Sequence, residues 1–248
     1  MSGQPAASPE ARVRAAAALT AKAGTARLVT AMCLQSVPDP EDVAGAGLAD
    51  LSQQRSMLVA SLVSLRTAKR SGLERGGRFA RGLLAVLRGP ADVAYVAGRR
   101  YFRVADGPWR EPEGKPVGLL DLSDPLWWLA MPAAAAQDVV ELGEEHVHGV
   151  STTRYRLTID LAVVTGDDRG LEQSIGWRLR TLFLRERTVW RRHLPAEVWL
   201  DDDGRVRRMS CLPIPPEVAG PTRLWAITEL TDFGTAVRWE GPAPPSRG

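Results

Sequence analysis

Three tyrosines, four phenylalanines, three histidines and two cysteines are few for a chain of 248 residues. Two cysteines, Cys33 and Cys211, lie in separate strand-like runs without the paired spacing of a zinc site, which excludes a cysteine-based metal knuckle and a disulfide-dense scaffold. They read as reduced, buried small hydrophobes. No apolar run approaches the roughly 20 residues of a membrane-spanning helix. Residues 1–25 carry Glu10, Arg12, Arg14 and Lys22 through an alanine-rich stretch, so they lack the unbroken apolar core of an export leader, and no lipidation cysteine follows. The expected location is cytoplasmic. The chain also has no Gly-x-Ser-x-Gly elbow, dinucleotide fingerprint or phosphate loop, which argues against common hydrolases, nucleotide enzymes and redox enzymes. No cofactor is expected.

Charge is nearly balanced, with 32 basic and 29 acidic residues and a net charge of +3. That is no nucleic-acid signature, and no helix-turn-helix or RNA-binding motif accompanies it. The imbalance is local, in the basic run 66–88, a candidate for peripheral contact with anionic lipid whose plainer reading is a solvated surface. What the chain does have is tryptophan: eight, in a sequence that is 44% hydrophobic, so its large rings are mostly indoles available to fill a core or line a pocket.

Local signals order the chain. Ser8-Pro9-Glu10 is a helix start, with Ser as cap, Pro in the first turn and an acid near the positive helix end; the helix should run to about Ala21 and stop at Gly24. Leu28–Gln35 reads as a strand, 38–47 as a loop and Met57–Leu65 as a second strand. Segment 68–89 is ambiguous, its helical spacing weakened by four glycines. Val93–Val96 and Arg100–Val104 form a hairpin around Gly98, and Asp106-Gly107 turns the chain again. Asp121 to Pro125 caps a helix holding Trp127, Trp128 and Met131, which Pro132 should break or kink. Two strands follow around Gly149, then an amphipathic helical stretch over 171–192. The strongest hairpin signal is Pro195–Leu200, Asp201-Asp202-Asp203-Gly204 and Arg205–Met209, since Gly adopts positive φ without penalty. Leu224–Leu230 and Val237–Trp239 read as closing strands around Asp232-Phe233-Gly234.

The order of these pieces resembles the LolA-like lipoprotein-carrier superfamily, of the kind that includes the actinobacterial LppX and LprG lipoproteins. The resemblance rests on Gly98–Arg103, Asp124–Met131, Gly149–Tyr155, Val198–Arg208 and Leu230–Val237. It implies an α+β fold: a strongly curved antiparallel sheet, a half-barrel, wrapped around a few helices in a single domain over 10–240, between a tail at 1–9 and a proline-rich tail at 241–248. It also implies an apolar cavity between sheet and helices, which in that superfamily holds acyl chains and does no chemistry. The export signal usual in that group is the feature this sequence does not show.

The residues expected to line such a cavity are Trp127, Trp128, Met131, Tyr101, Tyr155 and Trp199; core packing is the plainer role for each. His146 and His148, two apart after Glu144 and Glu145, are half of a metal site with no third ligand, and a solvated strand end accounts for them. The aspartate run 201–203 lacks the downstream glutamate of a calcium loop and is accounted for by turn chemistry. The leading expectation is a module that binds a bulky hydrophobic small molecule, a lipid or polyketide. The alternative is a cofactor-independent cyclase or isomerase acting on such a ligand, since folding a flexible substrate needs a shaped cavity and leaves no motif. A third is an interaction protein using an exposed sheet face. No residue pattern sets an oligomeric state.

Overall fold

The computed structural model describes residues 7–36, 40–62, 91–96, 99–103, 106–111, 125–160, 193–211 and 222–243. Helix α1 (Pro9–Lys22) starts as its cap residues dictate: Ser8 is extended, and its Oγ accepts from the Ala11 amide at 3.2 Å. Arg14 and Glu10 pair one turn apart at 2.9 Å. Val13, Ala16 and Thr20 form the buried stripe, spaced three and four residues apart. Gly24 ends the segment at φ +80°, and its carbonyl accepts from Leu51 N.

Among the described residues ten strands follow: β1 (Thr25–Ser36), β2 (Pro40–Asp50), β3 (Arg55–Leu62), β4 (Ala91–Val96), β5 (Arg99–Arg103), β6 (Ala136–Val147), β7 (Val150–Asp160), β8 (His193–Leu200), β9 (Val206–Cys211) and β10 (Thr222–Thr231). They make one antiparallel, curved and unclosed sheet in the order β5-β4-β3-β2-β1-β10-β9-β8-β7-β6. Two five-stranded meanders therefore meet at the β1–β10 pair. The passage from β5 to β6 carries the chain from one sheet edge to the other, and helix α2 (Pro125–Ala135) lies in it. This is the α+β half-barrel expected from the sequence.

The pairing register divides the side chains between two faces. Leu28 opposes Gly47, which opposes Leu58, Val93 and Phe102 in turn; Tyr155 opposes Val198, which opposes Met209, Thr228 and Thr30. Directly opposed residues share a face, so these form one inner face. Both helices pack on it, α1 against β6, β8 and β9, and α2 against α1 and strands β3, β6, β7, β9 and β10. The buried core is continuous from Val93 to Ile159 and includes Leu129 and Met131 of α2. Thr20 ties α1 to the sheet, since its Oγ accepts from Val206 N at 2.8 Å while donating to Ala16 O.

Three sequence expectations are corrected. The stretch 38–47, expected as a loop, contributes most of β2. Gly45 and Gly47 depress strand propensity, but a Cβ at Gly47 would run into the Met57 carbonyl, so glycine is what lets β2 and β3 approach there. Val237–Trp239 forms no strand. After Asp232 (φ +46°) and Gly234 (φ +78°), the chain leaves the ladder and is held by side chains: Thr25 Oγ donates to Thr235 O, Trp239 stacks on the Arg55 guanidinium at 4.6 Å, and Trp109 Nε1 donates to Glu240 O at 2.8 Å. Of the break or kink expected at Pro132, the break does not occur: α2 continues to Ala135 with Met131 and Pro132 both buried. Segments 66–88 and 171–192 lie outside the described residues.

Candidate functional site

The inner face and α2 define the candidate site. In sequence α2 is Pro-Leu-Trp-Trp-Leu-Ala-Met-Pro-Ala-Ala-Ala, with no charged or hydrogen-bonding side chain except the two indoles. A helix apolar all round needs apolar surroundings on every side. One side is supplied by α1 and the sheet, where Leu129 and Met131 are buried, while Ala130 is exposed and Leu126 half-buried. Trp127 and Trp128 are carried by this helix; their side chains lie outside the described set.

Tyr155 belongs to the same face. It is fully buried beneath α1, and its Oη accepts from Arg12 Nη1 at 2.7 Å. Burial pushes its phenol pKa above the ordinary value. Met131 and Tyr155 thus share one apolar cluster.

The structure does not bring Trp199 and Tyr101 to them. Trp199 opposes Arg154 and Arg208, and Tyr101 opposes Ala94, register positions of the outer face. Trp199 lies between two guanidiniums, Arg154 at 5.1 Å and Arg208 at 5.3 Å, and its Nε1 donates to Glu145 Oε2 at 2.8 Å. Arg154 bridges Glu145 and Glu197, both at 2.6 Å, and Arg208 bonds Glu229 at 2.6 Å. The Trp199 and Arg154 hydrogen bonds hold the Glu145 carboxyl below its usual pKa. At Glu229 burial opposes ionisation, but bonds from His148 and Arg208 outweigh it and its pKa also falls. Charge-assisted bonds of this kind fix ring and strands together without exposing a reactive group, so Trp199 is a structural centre of the outer face.

His146 and His148 do not act as a pair. His148 (φ +50°) and Gly149 (φ +78°) form the two-residue turn between β6 and β7, and His148 Nε2 reaches Glu229 Oε2 at 2.7 Å. Among the described residues no group of three or more His, Cys, Asp or Glu is placed to hold a metal ion. Cys211 is a free, fully buried thiol on the inner face; burial pushes its pKa far up, which leaves it a packing residue.

Sequence reasoning missed one inner-face feature. Ser56, Tyr95 and Arg100 are directly opposed across β3, β4 and β5, one rung along the strands from Leu58 and Val93. All three are buried, with exposures of 0%, 2% and 7%. The Ser56 hydroxyl has no hydrogen-bond partner among the described residues. The signal for this row was the alternation Val93, Tyr95 in β4 carried into its antiparallel partner β5, which puts Arg100 and not Tyr101 on the inner side.

The class the structure defines is an open, antiparallel half-barrel with its helices on the inner face. Solved structures with this architecture include the lipoprotein LppX of Mycobacterium tuberculosis, with 14% identity, TM-score 0.47, and coverage of 93% of this chain and 97% of that one. LprF of Mycobacterium bovis is similar at 14% identity and TM-score 0.47, over 97% of this chain and 100% of that one. A LolA superfamily protein from Nitrosomonas europaea matches at 7% identity and TM-score 0.30, over 92% and 93% of the two chains. No protein-family model and no curated protein matches the chain.

Proposed function

We propose that this protein binds a bulky hydrophobic small molecule, a lipid or polyketide, between the inner face of the sheet and α2. The observation that supports it is α2 itself: an apolar helix crossing an apolar sheet face, with one side buried against α1 and the strands and its exposed Ala130 on another. Apolar area supplies the affinity, at about 25 cal/mol per Å² before the entropy of association is subtracted. Trp127, Trp128, Met131 and Tyr155 are the proposed lining; Tyr101 and Trp199, on the outer face, are not part of it.

The same proposal keeps residues 9–22 in the working protein and the protein in the cytoplasm. Val13 and Ala16 of α1 are core residues and Thr20 anchors a sheet amide, so removal of this segment would open the core. Fractionation with N-terminal mass spectrometry checks both.

The binding test compares Trp127→Ala and Trp128→Ala for capture of a fluorescent long-chain probe and for thermal stability. One variant is expected to stay folded and lose probe binding. Equal loss of stability in both, with no change in probe binding, would make the two rings core and sink the proposal.

A further inference from the structure

We propose that the row Ser56–Tyr95–Arg100 is an anion-recognition site, so that the bound molecule is an amphiphile whose carboxylate or phosphate head lies against β3–β5 and whose tail runs along the apolar inner face beneath α2. This deepens the proposed function and rests on it.

Ser56 opposes Tyr95, and Tyr95 opposes Arg100, so the three side chains stand side by side on one face, with Cβ atoms about 5 Å apart. The next inner-face rung is Leu58, Val93 and Phe102, all apolar. A polar row therefore adjoins an apolar surface, an arrangement with the polarity of a lipid.

Chemistry points to the sign of the head. Arg100 carries a permanent positive charge with five N–H donors in a planar fork, enough to keep one partner within the protein and still take an anionic oxygen. Ser56 is fully buried, with a hydroxyl unpartnered among the described residues. A strand with a merely structural role at that position would carry alanine there, since a buried unpaired hydroxyl is a standing cost. The Tyr95 ring is buried between them. Donors gathered in a low-dielectric place recognise an acceptor-rich, negatively charged group better than a neutral ester or an alcohol.

The test measures binding of a long-chain fluorescent fatty acid, its methyl ester and the matching alkyl phosphate to the full chain, its Ser56→Ala variant and its Arg100→Met variant. The acid or the phosphate is expected to bind about tenfold tighter than the ester, since charge-assisted hydrogen bonds are worth that much. The stronger of the two identifies the head. Arg100→Met should abolish the preference for the anionic head over the ester. Ser56→Ala should cut the preference roughly threefold with a Tm no lower than that of the parent, an outcome a structural hydroxyl would not give. If Arg100→Met fails to fold, Ser56→Ala decides: an unchanged acid-to-ester ratio overturns the site. Equal binding of acid and ester by the parent protein overturns the anion site and leaves the apolar cavity standing. If none of the three amphiphiles binds, the apolar reading falls and the site with it.

Discussion

Arg12 Nη1 lies 2.7 Å from Tyr155 Oη and joins the first turn of α1 to the middle of β7, 143 positions further on. The same guanidinium reaches Glu141 on β6 at 3.7 Å, so one side chain staples the helix across two strands. The bond puts the polar tip of a fully buried ring next to a half-exposed cation, which is how a tyrosine can serve the inner face without an unpaired hydroxyl.

Tyr155→Phe should therefore cost about 1 kcal/mol, the net worth of one hydrogen bond, and Arg12→Ala a similar amount. The two losses should not add, because each removes the same bond. Stability should also fall in alkali. A phenol raised in the folded state contributes fully below the unfolded value of about 10, and that contribution disappears as pH climbs through the higher folded value. Denaturant titrations of the parent and of Tyr155→Phe between pH 8 and 11 check this: the variant's curve should be the flatter one. Additive losses in the double variant would show that the bond is absent in solution.

The β8–β9 turn offers a second check. Gly204 has φ +73°, and a Cβ built on it would stand 2.8 Å from Leu19 Cδ1 of α1. The leucine tip can move aside, so the penalty comes mainly from a β-branched residue in the left-handed region. Gly204→Val should cost about 2 kcal/mol, a Tm drop of about 4–8 °C for a domain of this size. Gly204→Asn should lose about half as much, since asparagine tolerates that backbone. Equal melting temperatures for the two variants would mean that the strain lies elsewhere.

That turn was legible in the sequence because its chemistry is local, as were the Ser8 cap and the Gly149 hairpin. What could not be read locally came from pairing. Residues 40–47 look like a loop until Gly47 is seen opposite Leu58, where a Cβ would run into the Met57 carbonyl. The run Val198-Trp199-Leu200 is apolar at every position, so alternation alone does not say which way Trp199 points. The answer lay two residues away: Glu197 shares its parity, as do Arg154 and Arg156 across the ladder, and a ring among three charged neighbours faces outward. Arg100 and Tyr101 pose the same question, settled by the register that Val93 and Tyr95 set.

Acid should unfold the protein through a few carboxylates. Asp201 is a buried one: its side chain is 3% exposed and accepts from Arg205 Nε at 3.0 Å, Arg207 Nε at 2.8 Å and the Arg205 amide at 2.9 Å. Burial opposes its ionisation, but these donors outweigh burial and its pKa falls below the ordinary 3.8. Asp50, bound to Ser52, Gln53 and Arg55, is lowered in the same way, as are Glu145 and Glu229 from 4.5. A carboxylate depressed in the fold takes up protons more readily when unfolded, so its contribution is complete above the unfolded value and vanishes as pH falls through the folded one. The denaturation midpoint should thus hold steady from about pH 7 to 5 and decline below the ordinary carboxylate range of about 4. Asp201→Asn should lower stability near neutrality by about 3 kcal/mol, because two largely buried arginines lose their shared anion. It should also flatten the acid decline by removing one titrating group. A variant as stable as its parent at pH 7, with an unchanged acid limb, would show that Asp201 does not hold the β8–β9 turn by its charge.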